Sequence, residues 1–187
     1  MINIENELTI LDIDKNEFVA SLECLGAKKI TDERLQKRYV YDFSPVNRNK
    51  WIRLRTNGEK TTLTIKEIQD NSKMNAKEME IVVSDFETTN QMLEELGYVH
   101  RNYQENLRQV FLLDGVEISI DSWPLIPPYA ELEGKDLSSI NLVLQKLGVN
   151  QDKITTLDVT SIYKDIYNID IQSIGELKFD EKETPEL

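Results

Sequence analysis

The chain is poor in the residues that enzymes use for covalent or redox catalysis. It contains one cysteine, Cys24, and one histidine, His100, among 187 residues. A single cysteine cannot form an internal disulfide, and an isolated histidine gives little support to a Cys/His or Ser/His/Asp catalytic group. Cys24 lies between Leu22 and Leu25 in a predicted helix, so we expect a small buried thiol and not a nucleophile.

Glycine and basic residues are also scarce. The seven glycines are dispersed, and none lies in a GxGxxG or GxxxxGK phosphate-binding loop. Lysine and arginine number 22 against 34 aspartates and glutamates, which gives a net charge of −12. No basic face is therefore available to neutralise a nucleic acid. Any phosphate that binds here must be held by side chains.

Long apolar runs are absent as well. No stretch approaches the ~20 residues that cross a bilayer. The N-terminus, Met1-Ile2-Asn3-Ile4-Glu5, is acidic and lacks the basic start and apolar core of a secretion signal. These features predict a cytoplasmic protein that does not associate with membranes. The chain length predicts one domain over residues 1–170, followed by an acidic, mobile tail over 171–187.

Side-chain periodicity predicts an α+β protein. Apolar alternation indicates strands, and apolar spacing of three to four residues indicates helices. Asn57-Gly58 and Asp114-Gly115 are strong hairpin-turn signals. The strands are predicted at 2–12, 37–43, 50–56, 61–69, 77–83, about 99–113, 115–122 and 129–134, and the helices at 15–26, 85–97, 136–147 and 159–168. This pattern predicts an eight-stranded antiparallel β-barrel with helices packed outside.

Several strands share a pair of like charges two residues apart. Because side chains alternate between the two faces of a strand, both charges of a pair share one face, and apolar neighbours such as Ile52 and Leu54 share the other. One such pair is common on a solvated face. Four pairs of both signs, together with Lys66 and Arg108, predict a barrel interior lined by acids and bases. The pairs are Glu5/Glu7, Arg53/Arg55, Glu78/Glu80 and Glu131/Glu133.

The predicted interior face has the chemistry of a metal and phosphate site. Carboxylates without histidine or cysteine suit Mg²⁺ or Mn²⁺. Arginine and lysine suit phosphate oxygens, so an interior with both would hold a metal-bound polyphosphate. The full inward set is Glu5, Glu7, Thr9, Arg53, Arg55, Thr62, Thr64, Lys66, Glu78, Glu80, Arg108, Glu117, Ser119, Asp121, Glu131 and Glu133.

The order and spacing of these motifs resemble a known family. The segments that carry the likeness are Glu5-x-Glu7, Trp51-Ile-Arg53-Leu-Arg55, Leu63-Thr64-Ile65-Lys66, Glu78-x-Glu80, Arg108 with Asp121, and Tyr129-Ala-Glu131-Leu-Glu133. Over about residues 2–168 the chain is similar to the CYTH superfamily of triphosphate tunnel metalloenzymes. Ser161-Ile-Tyr163-Lys-Asp165 is similar to a segment of the class IV adenylate cyclase branch.

The resemblance implies a tunnel that binds triphosphate compounds with a divalent metal, in a family that includes class IV adenylate cyclases, thiamine triphosphatases and inorganic triphosphatases. It implies phosphate binding by Arg53, Arg55, Lys66 and Arg108, and catalytic roles for Glu5, Glu7, Lys66 and Arg108. It implies metal binding by Glu5, Glu7, Glu131 and Glu133, with Asp121, Glu78 and Glu80 nearby. The chain departs from the family pattern where Thr9, Ala76 and Asn106 replace basic residues.

We therefore expect a metal-dependent hydrolase that acts on inorganic tripolyphosphate, a nucleoside triphosphate or thiamine triphosphate. One alternative is an adenylate cyclase that converts ATP to cyclic AMP and pyrophosphate. Another is a non-catalytic binder of polyphosphate or nucleotide. The sequence leaves open the substrate, the choice between Mg²⁺ and Mn²⁺, and whether the protein forms a homodimer.

Overall fold

The computed structural model describes residues 3–4, 6–47, 49–68 and 76–180, and in these ranges it contains eleven strands. The strands are β1 (Asn3–Ile4), β2 (Asn6–Ile10), β3 (Lys28–Asp42), β4 (Lys50–Thr56), β5 (Thr61–Ile68), β6 (Ala76–Val83), β7 (His100–Leu113), β8 (Val116–Ser122), β9 (Tyr129–Gly134), β10 (Ile154–Thr155) and β11 (Glu176–Leu177). The helices are α1 (Lys15–Cys24), α2 (Phe86–Glu95), α3 (Leu137–Leu147) and the single turn α4 (Val159–Ser161). A π-helix at Ile162–Ile166 continues α4, and 3-10 turns lie at Gln151–Lys153 and Ile171–Ser173.

The strands form one sheet whose two ends lead to the same segment of chain. The order is β1-β6-β5-β4-β3-β7-β8-β9-β2-β10, and all neighbours in it are antiparallel. Strands β1 and β2 are consecutive along the chain; β1 pairs with β6, whereas β2 pairs with β9. Counted as one strand, β1 and β2 complete a ring of eight, which confirms the predicted antiparallel barrel with helices.

Local sequence signals fix the helix ends and the hairpins. Asp14, Asp85 and Asp136 cap α1, α2 and α3, because each side chain accepts a hydrogen bond from a backbone N–H in the first turn. Asp114 and Gly115 both have positive φ values, which matches the tight turn that joins β7 to β8. The predicted helices at these three places and the predicted hairpin are confirmed.

The helices cover the outer face of the barrel. Leu22 of α1 and Ile140, Val143 and Leu144 of α3 pack with buried apolar residues of β2, β7, β8 and β9. Phe86 and Leu93 of α2 pack on Ile52 and Leu54 of β4. The apolar face of the strands therefore points outward to the helices, and the charged face points inward.

The structure corrects three expectations. Strand β3 begins at Lys28 instead of residue 37, because register shifts near Thr31 interrupt the alternation from which a strand is predicted. The predicted mobile tail is packed at least as far as β11, which pairs with β7 and buries Leu177; residues 181–187 lie outside the described part. Cys24 is exposed and not buried.

Candidate functional site

Strand register places the predicted charged residues on one face of the sheet. In the strand register, Arg53 lies opposite Thr64, and Thr64 lies opposite Glu80. Lys66 lies opposite Glu78. On the other side of the barrel, Glu7 lies opposite Glu133, and Thr9 lies opposite Glu131. Glu131 in turn lies opposite Ser119, and Arg108 lies opposite Asp121. Their interior position is the predicted one. Glu5 lies outside the described residues.

One end of the interior is filled by apolar side chains. Tyr129 shares the inward face of β9 with Glu131, and it packs with Leu11 and Trp123 in a buried cluster. Ile162 and Tyr163 of the π-helix complete this cluster, and the Tyr163 hydroxyl donates to the Pro124 carbonyl. The charged side chains that could contact a charged ligand therefore lie on the inward face of the strands, beyond this apolar end.

The first polar cluster lies on β4, β5 and β6. Lys66 Nζ is 2.6 Å from Glu78 Oε1, and Arg53 Nη2 lies 3.9 Å from Glu78 and 4.0 Å from Glu80. Thr64 Oγ1 donates to Glu80 Oε2 at 2.8 Å. Burial alone would raise the pKa of Glu78, but Lys66 and Arg53 lower it below its usual value. Glu78 and Glu80 thus serve here as counter-ions, while a role in metal binding stays a prediction.

The second cluster lies on β7, β8 and β9. Arg108 donates from Nε and Nη2 to the two oxygens of Asp121, at 2.9 and 2.7 Å, and also contacts Glu131. Asn106 donates to Asp121 as well. Burial favours neutral Arg108, but Asp121 and Glu131 outweigh it and raise its pKa well above the usual value. Asp121 is fully buried and both its oxygens are engaged, so it holds Arg108 in place.

The acidic side of the interior is formed by Glu7, Glu131 and Glu133. Repulsion from Glu131, followed by burial, raises the pKa of Glu7 to about 8, although Lys66 and Arg108 act in the opposite direction. Because Lys66 on β5 and Arg108 on β7 both lie on the inward face of the same ring of strands, the two polar clusters face one interior space. Neighbouring carboxylates that repel in this way can be neutralised by a shared divalent cation.

The donor chemistry of these acids fits a hard cation such as Mg²⁺ or Mn²⁺. Among the described residues, no three potential ligands already converge as a finished metal site. Glu131 is paired with Arg108, and Glu5, the other acid of the first motif, is not described. The residues that would hold a metal are therefore Glu7, Glu131 and Glu133, and Glu131 would have to exchange Arg108 for the ion.

Sequence reasoning missed a buried arginine of the interior. Arg38 is 7% exposed and lies opposite Arg55 on β4 and Gln104 on β7. Repulsion from Arg53, followed by burial, lowers the pKa of Arg55 well below its usual value, and Arg38 and Arg108 add to this effect. Arg38 has no like charge two residues away, so no doublet marked it. The available signal was its alternation with Tyr39 and Tyr41, which lie on the opposite face of β3 and pack in the cluster with Phe86 of α2.

The structure also shows what surrounds two of the replaced family cations. Thr9 is 2% exposed and faces Glu131 across the β2–β9 pair. Asn106 is fully buried; it accepts from Arg38 and donates to Asp121. The guanidinium of Arg38 on the neighbouring strand β3 thus supplies a positive charge next to Asn106, which replaces a basic residue of the family pattern. Ala76 begins β6, and its side chain lies outside the described part.

The fold and the site define an antiparallel barrel with acidic and basic clusters on its inner face. A family model, the CYTH domain, matches residues 3–184. The chain therefore belongs to the CYTH domain family, whose members are metal-dependent proteins that bind triphosphates.

Known proteins agree with this membership. A Methanocaldococcus jannaschii protein, provisionally named an adenylate cyclase, is 28% identical over 181 residues, which cover 94% of this chain and 98% of that protein. A conserved hypothetical protein from Pyrococcus furiosus has a similar fold, with a TM-score of 0.72 at 22% identity over 83% of this chain and 97% of that chain. A Hippeastrum protein, provisionally an adenylyl cyclase and described as having a dominant triphosphatase activity, gives a TM-score of 0.58 at 13% identity, over 88% of this chain and 96% of that one.

Among the helices in the described ranges, none has the length and apolar content that crossing a lipid bilayer requires.

Proposed function

We propose that this protein is a metal-dependent hydrolase that acts on a triphosphate compound. The observation that carries the proposal is the distribution of charge inside the barrel. Arg38, Arg53 and Arg55 lie on adjacent strands with few acidic partners, whereas Glu7, Glu131 and Glu133 lie together on β2 and β9. A polyanion that carries a divalent cation is complementary to both sides.

The basic residues would bind the phosphate chain. Arg53 and Arg55 share one face of β4 and can each offer a planar fork of donors to phosphate oxygens. Lys66 adds a point charge between these arginines and the acids, because it contacts Glu78 and acts on Glu7. Arg108, held by Asp121, would complete the set from β7. Groups fixed in this way stabilise the charge of a phosphoryl transfer reaction without reorganising.

The acidic residues would hold the metal. When bound by Glu7, Glu131 and Glu133, a divalent cation would polarise the phosphoryl group and lower the pKa of a bound water. Hydrolysis would then consist of attack by water on the terminal phosphorus and cleavage of the bridging P–O bond, which releases phosphate, the corresponding diphosphate compound and a proton. Arginine and lysine neutralise the oxygens during the attack, and the filled end around Trp123 excludes bulk water from that side.

Adenylate cyclase activity is a second candidate, because the Methanocaldococcus relative is provisionally named for it. In that reaction the 3′-hydroxyl of ATP attacks the α-phosphorus, and pyrophosphate leaves. The same cationic residues would serve, but the nucleoside would have to fold back onto its own phosphate chain.

One assay separates these functions. The purified protein is incubated with ATP, tripolyphosphate and thiamine triphosphate, with Mg²⁺ or Mn²⁺, and the products are resolved by chromatography. We expect release of phosphate, reduced at least ~100-fold in Lys66→Met, since removal of one electrostatic stabiliser commonly costs that much. Arg101→Met is the matched control, because Arg101 is an exposed cation paired with Asp42.

Each other result has a definite meaning. Cyclic AMP from ATP would assign the cyclase reaction. Binding of tripolyphosphate without turnover would assign a binding protein. If the protein neither binds these compounds nor forms a product from them, every triphosphate role is overturned. If Lys66→Met is as active as the wild type, the activity comes from a contaminant.

A further inference from the structure

Among the residues that the structure describes, Arg38 is a buried cation without a carboxylate partner of its own. Its guanidinium stacks over the Trp123 ring, with Cζ 4.5 Å from the ring centroid. In the described part of the chain it donates only to the side-chain oxygens of Asn106 and Gln36, which are uncharged. A buried guanidinium without an opposite charge is costly, because it has lost its hydration.

Neighbouring residues do not remove this cost. Asp121 attracts Arg38, but Asp121 already accepts two hydrogen bonds from Arg108 and one from Asn106. Burial, followed by repulsion from Arg53 and Arg108, lowers the pKa of Arg38 to about 10. Among the described residues, the positive charge of Arg38 is therefore not balanced by an anion of its own, whereas Arg53 lies 3.9 Å from Glu78 and 4.0 Å from Glu80.

Unpaired polar atoms lie on the strands around the same place. Arg38 Nε, Arg53 Nε and Thr62 Oγ1 are buried and have no hydrogen-bond partner among the described residues. The register places these residues close together, since Arg38, Arg55 and Thr62 lie opposite one another on three successive strands, and Arg53 lies two residues from Arg55 on the same face of β4. A buried donor left unpaired destabilises the folded protein, because it has lost its hydrogen bonds to water and gained none in exchange. A tetrahedral oxyanion would supply acceptors to all of them.

We infer that Arg38 and Thr62, together with Arg53 and Arg55, bind the terminal phosphoryl group of the triphosphate. This inference rests on the proposed function and specifies how the substrate lies. Arg38 is stacked on Trp123, which belongs to the filled end of the interior. The group that reaches Arg38 must therefore be an end of the phosphate chain. A nucleoside or thiamine moiety would extend away from it.

The test measures the affinity for tripolyphosphate and ATP by calorimetry, in the full chain with Mg²⁺. We expect Arg38→Met to weaken binding of both at least ~10-fold, because it removes a charge-assisted contact. Thr62→Val keeps the side-chain shape and should weaken binding ~3-fold, as expected for one neutral hydrogen bond. Arg101→Met removes the same charge from the exposed side of β7 and should leave the affinity unchanged.

Stability in the absence of ligand distinguishes a ligand-binding role from a structural one. Met can retain the packing on Trp123 while removing an uncompensated buried charge, so Arg38→Met should melt at the same temperature as the wild type or higher. A lower melting temperature with unchanged tripolyphosphate affinity would make Arg38 a structural residue and overturn the inference. If Arg38→Met does not fold, Arg38→Lys, which keeps the charge, and Thr62→Val still provide the affinity comparison.

A triphosphate with nucleosides at both ends tests the orientation. In the wild type, diadenosine triphosphate should bind at least ~10-fold more weakly than ATP, because it has no free terminal phosphoryl group. Equal binding would overturn the terminal assignment. Wild-type protein that binds no triphosphate at all would instead refute the proposed function, so the two failures are distinguishable.

Discussion

At the scale of single residues, the interior of the barrel combines groups whose charges are satisfied with groups whose charges are not. Asp121 and Arg108 form a bidentate pair, and Lys66 is paired with Glu78. In contrast, Glu7 is opposed by Glu131, and Arg55 is opposed by Arg53. The unsatisfied groups have the signs required by a metal ion and by a phosphate.

The carboxyl of Glu7 gives a prediction for stability against pH. Its pKa is about 8 in the folded protein against an ordinary 4.5, so the folded state binds this proton more tightly than the unfolded state does. The stability that this group contributes is present below about pH 4.5 and is lost as the pH rises through about 8. Glu7→Gln should remove this loss and, with metals chelated, raise the melting temperature at about pH 8.5 by ~3–6 °C, which corresponds to ~1–2 kcal/mol.

Thermal melts of wild type and Glu7→Gln between about pH 5 and 8.5 check this expectation. Glu23→Gln, an exposed change on α1, should follow the wild type. Parallel curves for wild type and Glu7→Gln would show that the repulsion from Glu131 does not affect folding.

At the scale of elements, the last described strand ties the C-terminal segment to the barrel. Strand β11 pairs in parallel with β7, and Leu177 is 2% exposed in the cluster with Trp123 and Tyr163. Asn102 Nδ2 donates to the Ile174 carbonyl at 2.6 Å. This segment therefore supports the apolar end of the binding site.

Leu177→Ala should accordingly lower the free energy of unfolding by about 2–4 kcal/mol, the usual cost of truncating a buried leucine. Leu142 on α3 is 61% exposed, and Leu142→Ala should cost little. Urea denaturation measures both. A cost for Leu177→Ala no larger than that for Leu142→Ala would support the mobile tail predicted from the sequence.

The alternation of charged and apolar residues made much of the fold predictable. It placed Arg53, Lys66 and Glu131 on the interior face, because a strand with one apolar face can pair in only one register. It failed at β3, where bulges break the alternation near Thr31, and at Arg38, whose environment depends on Arg55 of the next strand. The spacing of residues within one strand does not show which residues of other strands they contact. The terminal phosphate subsite that we infer could therefore be recognised only from the structure.

At the scale of the whole molecule, a ligand that bridges the two charged sides should stabilise the closed barrel. Millimolar tripolyphosphate with Mg²⁺ or Mn²⁺ should raise the melting temperature by several degrees, since a ligand at ~100 times its Kd adds about 2.7 kcal/mol. Sulfate and monophosphate should raise it much less, because they cannot span both clusters. An unchanged melting temperature with tripolyphosphate and metal would count against a triphosphate ligand.

The closure of the barrel by its N-terminal segment has a consequence for synthesis. Strand β2 pairs with β9 and β10, both made after most of the other strands, and β1 pairs with β6. On the ribosome, β1 can therefore pair once β6 has emerged, but β2 lacks its barrel partner until β9 has emerged as far as Gly134, and the ring is completed late by contacts of long sequence separation. Residues added shortly before β1 would be close in sequence to this seam and to Glu7 of β2, so an affinity tag for producing the protein is better placed away from this end of the chain.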